Sequence, residues 1–126
     1  MGEMEPLEPT RGMEIVRGTI PLSALEQMAE AIFGNLVKAV VDIEHGIMAV
    51  GGEMHADEEA LLLDEGSPQP SLWGINLYAA QFDTPRFIEF DSVINIRPRQ
   101  GNRSRSVDDA AVRAAVTSIV ERLVSR

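Results

Sequence analysis

Glu53-Met54-His55-Ala56-Asp57 sets a carboxylate, an imidazole and a carboxylate at every second position. In an extended segment those three side chains leave the same side of the chain. There they could hold a divalent metal or work as a general acid–base pair. Glu53, His55 and Asp57 are therefore the metal candidates, and a divalent metal is the cofactor they would imply. The same residue types at period two also describe an ordinary solvated strand face. The other histidine, His45, falls in an apparent turn and is expected to be solvated.

A second constellation lies between Arg97 and Arg105, which hold four arginines and no acid. Gly101-Asn102 can adopt positive φ and turn backbone N–H groups outward. Guanidinium groups beside such a turn, just ahead of a helix, suit phosphate or carboxylate. Arg97, Arg99, Asn102, Arg103 and Arg105 are the anion-binding candidates. The alternative is internal pairing, with the six acids between Glu53 and Glu65 or with Glu89 and Asp91. In Trp73-Gly74-Ile75-Asn76-Leu77-Tyr78, the two aromatics fall on opposite faces of an ideal strand. Asn76 and Tyr78 could then share the polar face of the first constellation, although core or hydrogen-bonded structural roles explain large aromatics equally well.

The known signatures of phosphate loops, dinucleotide folds, nucleophile elbows and zinc proteases are absent from the chain. The chain has 126 residues and no cysteine, which excludes disulfide scaffolds, zinc knuckles and a cysteine nucleophile. A net charge of −9 argues against general nucleic-acid binding and against anionic membranes. With no apolar run of membrane-spanning length and no visible secretory signal, the expected setting is the cytoplasm.

The elements that must position these residues follow from periodicity. Residues 1–12 carry prolines and glutamates and read as a disordered leader, ahead of a single domain over 13–126. Residues 13–17 predict a strand. Pro21, Ser23 and Glu26 predict a helix start with capping-box spacing, and Leu22, Leu25, Met28, Ala29, Ile32 and Phe33 its buried stripe. Residues 36–43 and 47–55 predict a hairpin in which Gly51-Gly52 marks a bulge or a close approach. Residues 57–66 fit a helix or a strand, and the strand is the expectation here. Residues 72–79 predict a strand, as does the alternation of Ile88, Phe90, Ile94 and Ile96 over 87–97. A last helix is expected from Ser106, with Asp108 and Asp109 in its first turn and Val112, Val116, Ile119 and Leu123 as its stripe. The sum is an α+β fold, a mostly antiparallel single-layer sheet of about five or six strands with two helices packed on one face.

Three stretches, GGEMHADEEALLLDEGS at 51–67, LWGINLY at 72–78 and IEFDSVINIRPRQGNRSR at 88–105, together resemble a small bacterial family of uncharacterised proteins, a domain-of-unknown-function family. The resemblance spans about residues 13–124. It implies a single cytoplasmic domain, and it transfers no activity, ligand or catalytic residue onto any position.

Two classes of function follow. The first is a small soluble binding or interaction module; its acidic and basic segments could meet across a twofold axis as a homodimer, and its arginine loop could take a small anionic ligand. The second is a metal-assisted hydrolase or related small enzyme, with Glu53, His55 and Asp57 around the ion and Arg103 or Arg105 orienting an anionic substrate. The second class requires the two segments to be neighbours in space.

Overall fold

The computed structural model describes residues 12–126, so all but Gly12 of the expected leader lies outside the described residues. Strands β1 (Glu14–Val16) and β2 (Ile20–Pro21) lead into helix α1 (Leu22–Ile32). The hairpin β3 (Val37–Asp42) and β4 (Ile47–Gly52) follows, then helix α2 (His55–Asp64) and strand β5 (Leu72–Leu77). The short strand β6 (Ile88–Glu89), helix α3 (Ala110–Leu123) and β7 (Val124–Ser125) complete the chain. An antiparallel five-stranded sheet runs β1-β4-β3-β5-β6, and β2 pairs with β7 in a separate parallel ribbon. Among the described residues no helix is long and apolar enough to cross a membrane.

The α+β class and the antiparallel sheet stand as expected, but there are three helices, and they cover both faces. Ala39, Val41, Met48, Val50, Trp73, Ile75 and Leu77 point to one face and pack with Leu25 and Ala29 of α1 and Val116, Val120 and Leu123 of α3. Val40, Ala49 and Leu72 point to the other and pack with Leu62 of α2. The central strands β3 and β5 are buried on both sides, which explains their nearly unbroken apolar runs.

The expected strand over 57–66 is instead α2. His55, Glu58 and Leu62, at helical spacing, form its buried stripe. Two of those three are polar, so the stripe is hidden from a search for apolar periodicity. Asp57 suits the positive end of the helix dipole. Gly66, at φ +102°, lets the chain turn out of it. The preceding strand therefore stops at Gly52 rather than running to His55.

The expected strand over 87–97 shrinks to β6. Beyond it Ser92 accepts a hydrogen bond from the Ile94 N–H at 3.2 Å and starts a 3-10 turn over Val93–Asn95. A further 3-10 turn, Pro98–Gln100, leads to Gly101 in the left-handed region. The capping-box spacing at Pro21 is not used, since α1 has no side-chain cap. α3 starts later than Ser106, with Asp109 as its cap, accepting from the Ala111 N–H at 2.7 Å. The Gly51-Gly52 expectation holds. Gly51, at φ +89°, is the extra residue where the register with β3 shifts between Lys38 and Ala39. A Cβ at Gly52 would stand 2.9 Å from the Glu58 Cγ.

Candidate functional site

One rung of the sheet carries the site. Gly52, Lys38, Asn76 and Glu89 stand opposite one another on β4, β3, β5 and β6. The side chains of Lys38, Asn76 and Glu89 leave the face that α2 covers, the face on which a Cβ at Gly52 would meet Glu58. The start of α2 lowers two polar groups onto this floor, Glu58 over Gly52 and His55 over β5.

His55 is buried, and its Nε2 lies 2.8 Å from the carbonyl oxygen of Ile75. A carbonyl can only accept, so Nε2 carries the hydrogen and Nδ1 keeps its lone pair. Burial pushes the His55 pKa down, and the nearby Lys38 charge adds to this. The Ile75 carbonyl, the Asn76 side chain and the Asp91 charge oppose without cancelling it. The ring is a neutral base with a fixed tautomer. Glu58 is fully buried; one carboxyl oxygen accepts from the Gly52 N–H at 2.9 Å and the other, Oε1, has no partner among the described residues. Burial raises its pKa well above the usual carboxyl value, against the Gly52 N–H and the Lys38 charge, which favours the protonated form in the fold.

Asn76 donates from Nδ2 to the Glu89 carboxylate at 2.9 Å, and Tyr78 donates its hydroxyl to the same oxygen at 2.9 Å. The Oδ1 of Asn76 is buried and unpartnered. At the rim, Arg105 Nε donates to Asp91 at 2.6 Å and holds that carboxyl below its usual range. Lys38 is the only lysine of the chain. It is half-buried, its ammonium lies 5.3 Å from the Phe33 ring centroid, and it forms no ion pair among the described residues. The N-cap of α2, Met54, supplies no side-chain acceptor, so the positive end of the helix dipole is uncapped here.

The fold separates the three metal candidates. On a helix, His55 and Asp57 diverge by about 200° instead of aligning. His55 turns inward while Glu53 and Asp57 face solvent. Among the described residues no group of three or more such side chains converges as a metal site.

The arginine loop divides. Arg97 is buried and donates to the backbone carbonyls of Ile94, Gln69 and Leu72. Its guanidinium stacks 4.6 Å from the Trp73 ring centroid and lies 3.7 Å from the Glu59 carboxylate. Asn102 is also buried: its Nδ2 donates to the carbonyls of Asn95 and Ser106, both at 2.7 Å, and its Oδ1 accepts from the Asp108 N–H. Both residues are occupied in folding the loop. Arg99 and Arg103 are exposed, and Arg105 pairs with Asp91. The structure thus brings His55 and Arg105 to the neighbourhood of Asp91, which Arg105 holds, and leaves the rest of the two constellations apart.

Sequence reasoning passed over Lys38 and Glu58 as site residues, and named Asp91 only as an internal partner for the arginines, the part it plays with Arg105. Lys38 carried a signal, as the one lysine inside an apolar strand; the register that sets it beside Asn76 did not. A second polar cluster was also missed. Asp42 is buried and accepts from the Ser67 hydroxyl at 2.6 Å and from the His45 Nδ1 at 2.7 Å, both on Oδ2. Its Oδ1 takes the Glu44 and His45 amides. Ser67 donates to the carboxylate and not to the imidazole, so this is a turn-fixing knot and no activated nucleophile. His45 is half-exposed but tied, where solvation alone was expected.

A family model described as "Protein of unknown function (DUF5674)" matches residues 14–123. Neither the curated proteins nor the solved structures yield a match.

Proposed function

For this chain, which belongs to the DUF5674 family of proteins of unknown function, we propose a role as a small binding module that takes an anionic small molecule, a carboxylate or a phosphate, on the floor formed by Lys38, Asn76 and the first turn of α2. The observation that carries this reading is Lys38, a lone half-buried ammonium without an ion-pair partner among the described residues, beside an uncapped helix N-terminus. In a chain of net charge −9 such a cation stands against the general field, and an anion would be held only by a local site. His55 Nδ1 and the buried, unpartnered Asn76 Oδ1 are further acceptors beneath this floor. Arg105 at the rim, with the exposed Arg99 and Arg103 of its loop, supports steering of the anion. Binding is favoured over catalysis because the hydrogen bond recorded for His55 is to a backbone carbonyl and not to a hydroxyl it could activate. The absence of cysteine and the acidic charge support a cytoplasmic setting.

The test is a thermal-shift and calorimetry screen of the full chain against inorganic phosphate and simple mono- and dicarboxylates. A ligand at 100 times its Kd stabilises by about 2.7 kcal/mol. The expected result is a stabilising anion whose effect disappears in Lys38→Gln. The reading fails if no anion shifts the wild-type protein, or if the shift survives in Lys38→Gln.

A further inference from the structure

On the other face of the molecule, a cavity of about 700 Å³ opens between α3 and the segment that carries β6. The chain has four phenylalanines, and three of them, Phe82, Phe87 and Phe90, line this groove. Phe82 and Phe87 pack edge to face at 5.2 Å, which sets their rings as one wall. The charged residues in the lining are Asp83 and Glu121, with no cation among them.

Two further features say what would fit. The first is the protein's own use of guanidinium groups at this wall. Arg126 lies 5.0 Å from the Phe82 ring centroid and 3.9 Å from the Asp83 carboxylate, and Arg113 lies 4.4 Å from the Phe90 centroid. Arg126 and Asp83 are both largely exposed, so their contact is weak and replaceable. The second is the edge of the sheet. Phe87 accepts from the Tyr78 N–H at 2.9 Å and Glu89 lies opposite Asn76. The alternation of antiparallel pairs then turns the N–H and C=O of Ile88 away from β5, toward the open side of the edge strand.

We propose that this groove docks an extended, arginine-bearing segment of another protein, which pairs its backbone with Ile88 and lays a guanidinium between the phenylalanine wall and the carboxylates of Asp83 and Glu121. Apolar side chains at alternate positions of the segment fill the rest of the wall. Arg126 occupies the place of the incoming arginine and yields it on binding. The acidic lining and the acidic chain disfavour a second copy of this protein as the occupant.

The experiment is fluorescence anisotropy of a short labelled peptide of alternating arginine and valine against the full chain, with a glutamate–valine peptide as control. Binding with a Kd below about 1 mM is expected for the basic peptide alone. Glu121→Lys with Asp83→Lys should weaken it at least about tenfold, and Arg126→Ala should tighten it. Thr117→Arg, which places a side chain in the groove from α3, should block binding with the far-UV spectrum unchanged. Equal binding of the two peptides, no binding of either, or indifference to the charge reversal would overturn the proposal. So would sedimentation showing a dimer that Thr117→Arg dissolves, since a second copy would then be the occupant. Lys38→Gln should leave the peptide affinity unchanged.

Discussion

The Asn95 side chain takes both backbone groups of Gly74: the Gly74 N–H donates to Asn95 Oδ1 at 2.8 Å, and Asn95 Nδ2 donates to the Gly74 oxygen at 2.9 Å. An amide side chain thus does for β5 what a neighbouring strand backbone would have done. Both residues are buried, and a Cβ at Gly74 would stand 2.6 Å from that of Ser92. Asn95→Ala should cost about 2–4 kcal/mol, because it leaves buried backbone groups unpaired. Urea unfolding at constant m-value checks this. Asn95→Asp should cost more, since it removes the donor and adds a buried charge.

Arg97 should behave as a structural residue. Its guanidinium serves three carbonyls and the Trp73 face. Lysine cannot reproduce that planar fork. Arg97→Lys should lower stability by about 2–4 kcal/mol and leave the affinity of any anion bound at Lys38 unaltered at temperatures where the variant is folded. Unchanged stability with a weakened anion would assign Arg97 to the ligand instead.

The two histidines should titrate on opposite sides of the ordinary value of 6.5. The Asp42 carboxylate holds the His45 proton and raises its pKa, while burial lowers that of His55. A histidine raised in the fold stabilises it below the unfolded pKa and loses that contribution as pH rises through the folded pKa. A depressed histidine works in reverse: stability falls as pH drops below 6.5 and the unfolded chain takes up a proton that folded His55 refuses. Proton–carbon NMR spectra across this range, with His45→Gln and His55→Gln for assignment, should give that order.

Glu58 should make the protein more stable in mild acid than its carboxyl count suggests. Its folded pKa lies well above 4.5, so both states are protonated below that pH. As pH rises above 4.5 the unfolded chain ionises first, and this contribution to stability falls until pH passes the folded pKa. Glu58→Gln keeps an acceptor for the Gly52 N–H without the titration. The advantage of Glu58→Gln over wild type should therefore grow as pH rises above about 5 in urea unfolding. An advantage independent of pH would show that the Glu58 pKa is not raised in the fold.

How far the site could be read beforehand depended on the signal each residue carries. The β3–β4 hairpin and its Gly51 bulge were legible because apolar runs and a glycine pair are local. α1 and α3 were legible because their stripes are apolar at helical spacing, although Ile32 and Phe33, expected in the buried stripe of α1, are exposed at its end. α2 was not, because its buried stripe includes His55 and Glu58, whose burial is helped by the Ile75 carbonyl and the Gly52 amide. The alternation from Ile88 to Ile96 misled in the opposite way. It satisfies the strand pattern, but Ser92 and Asn95 offer the backbone hydrogen bonds that end the strand after Glu89.

By itself the sequence determined the α+β class, the antiparallel hairpin core, the acidic balance and the polar residue types available to a site. These follow from composition and from periodicity within a few residues. Only the tertiary structure decided that α2 covers the second face, that Lys38 and Asn76 share a rung under His55, and that Arg97 and Asn102 are consumed inside their loop. Each of those depends on strand register and on hydrogen bonds between residues far apart in the chain, and a side chain's direction changes face with a shift of one residue.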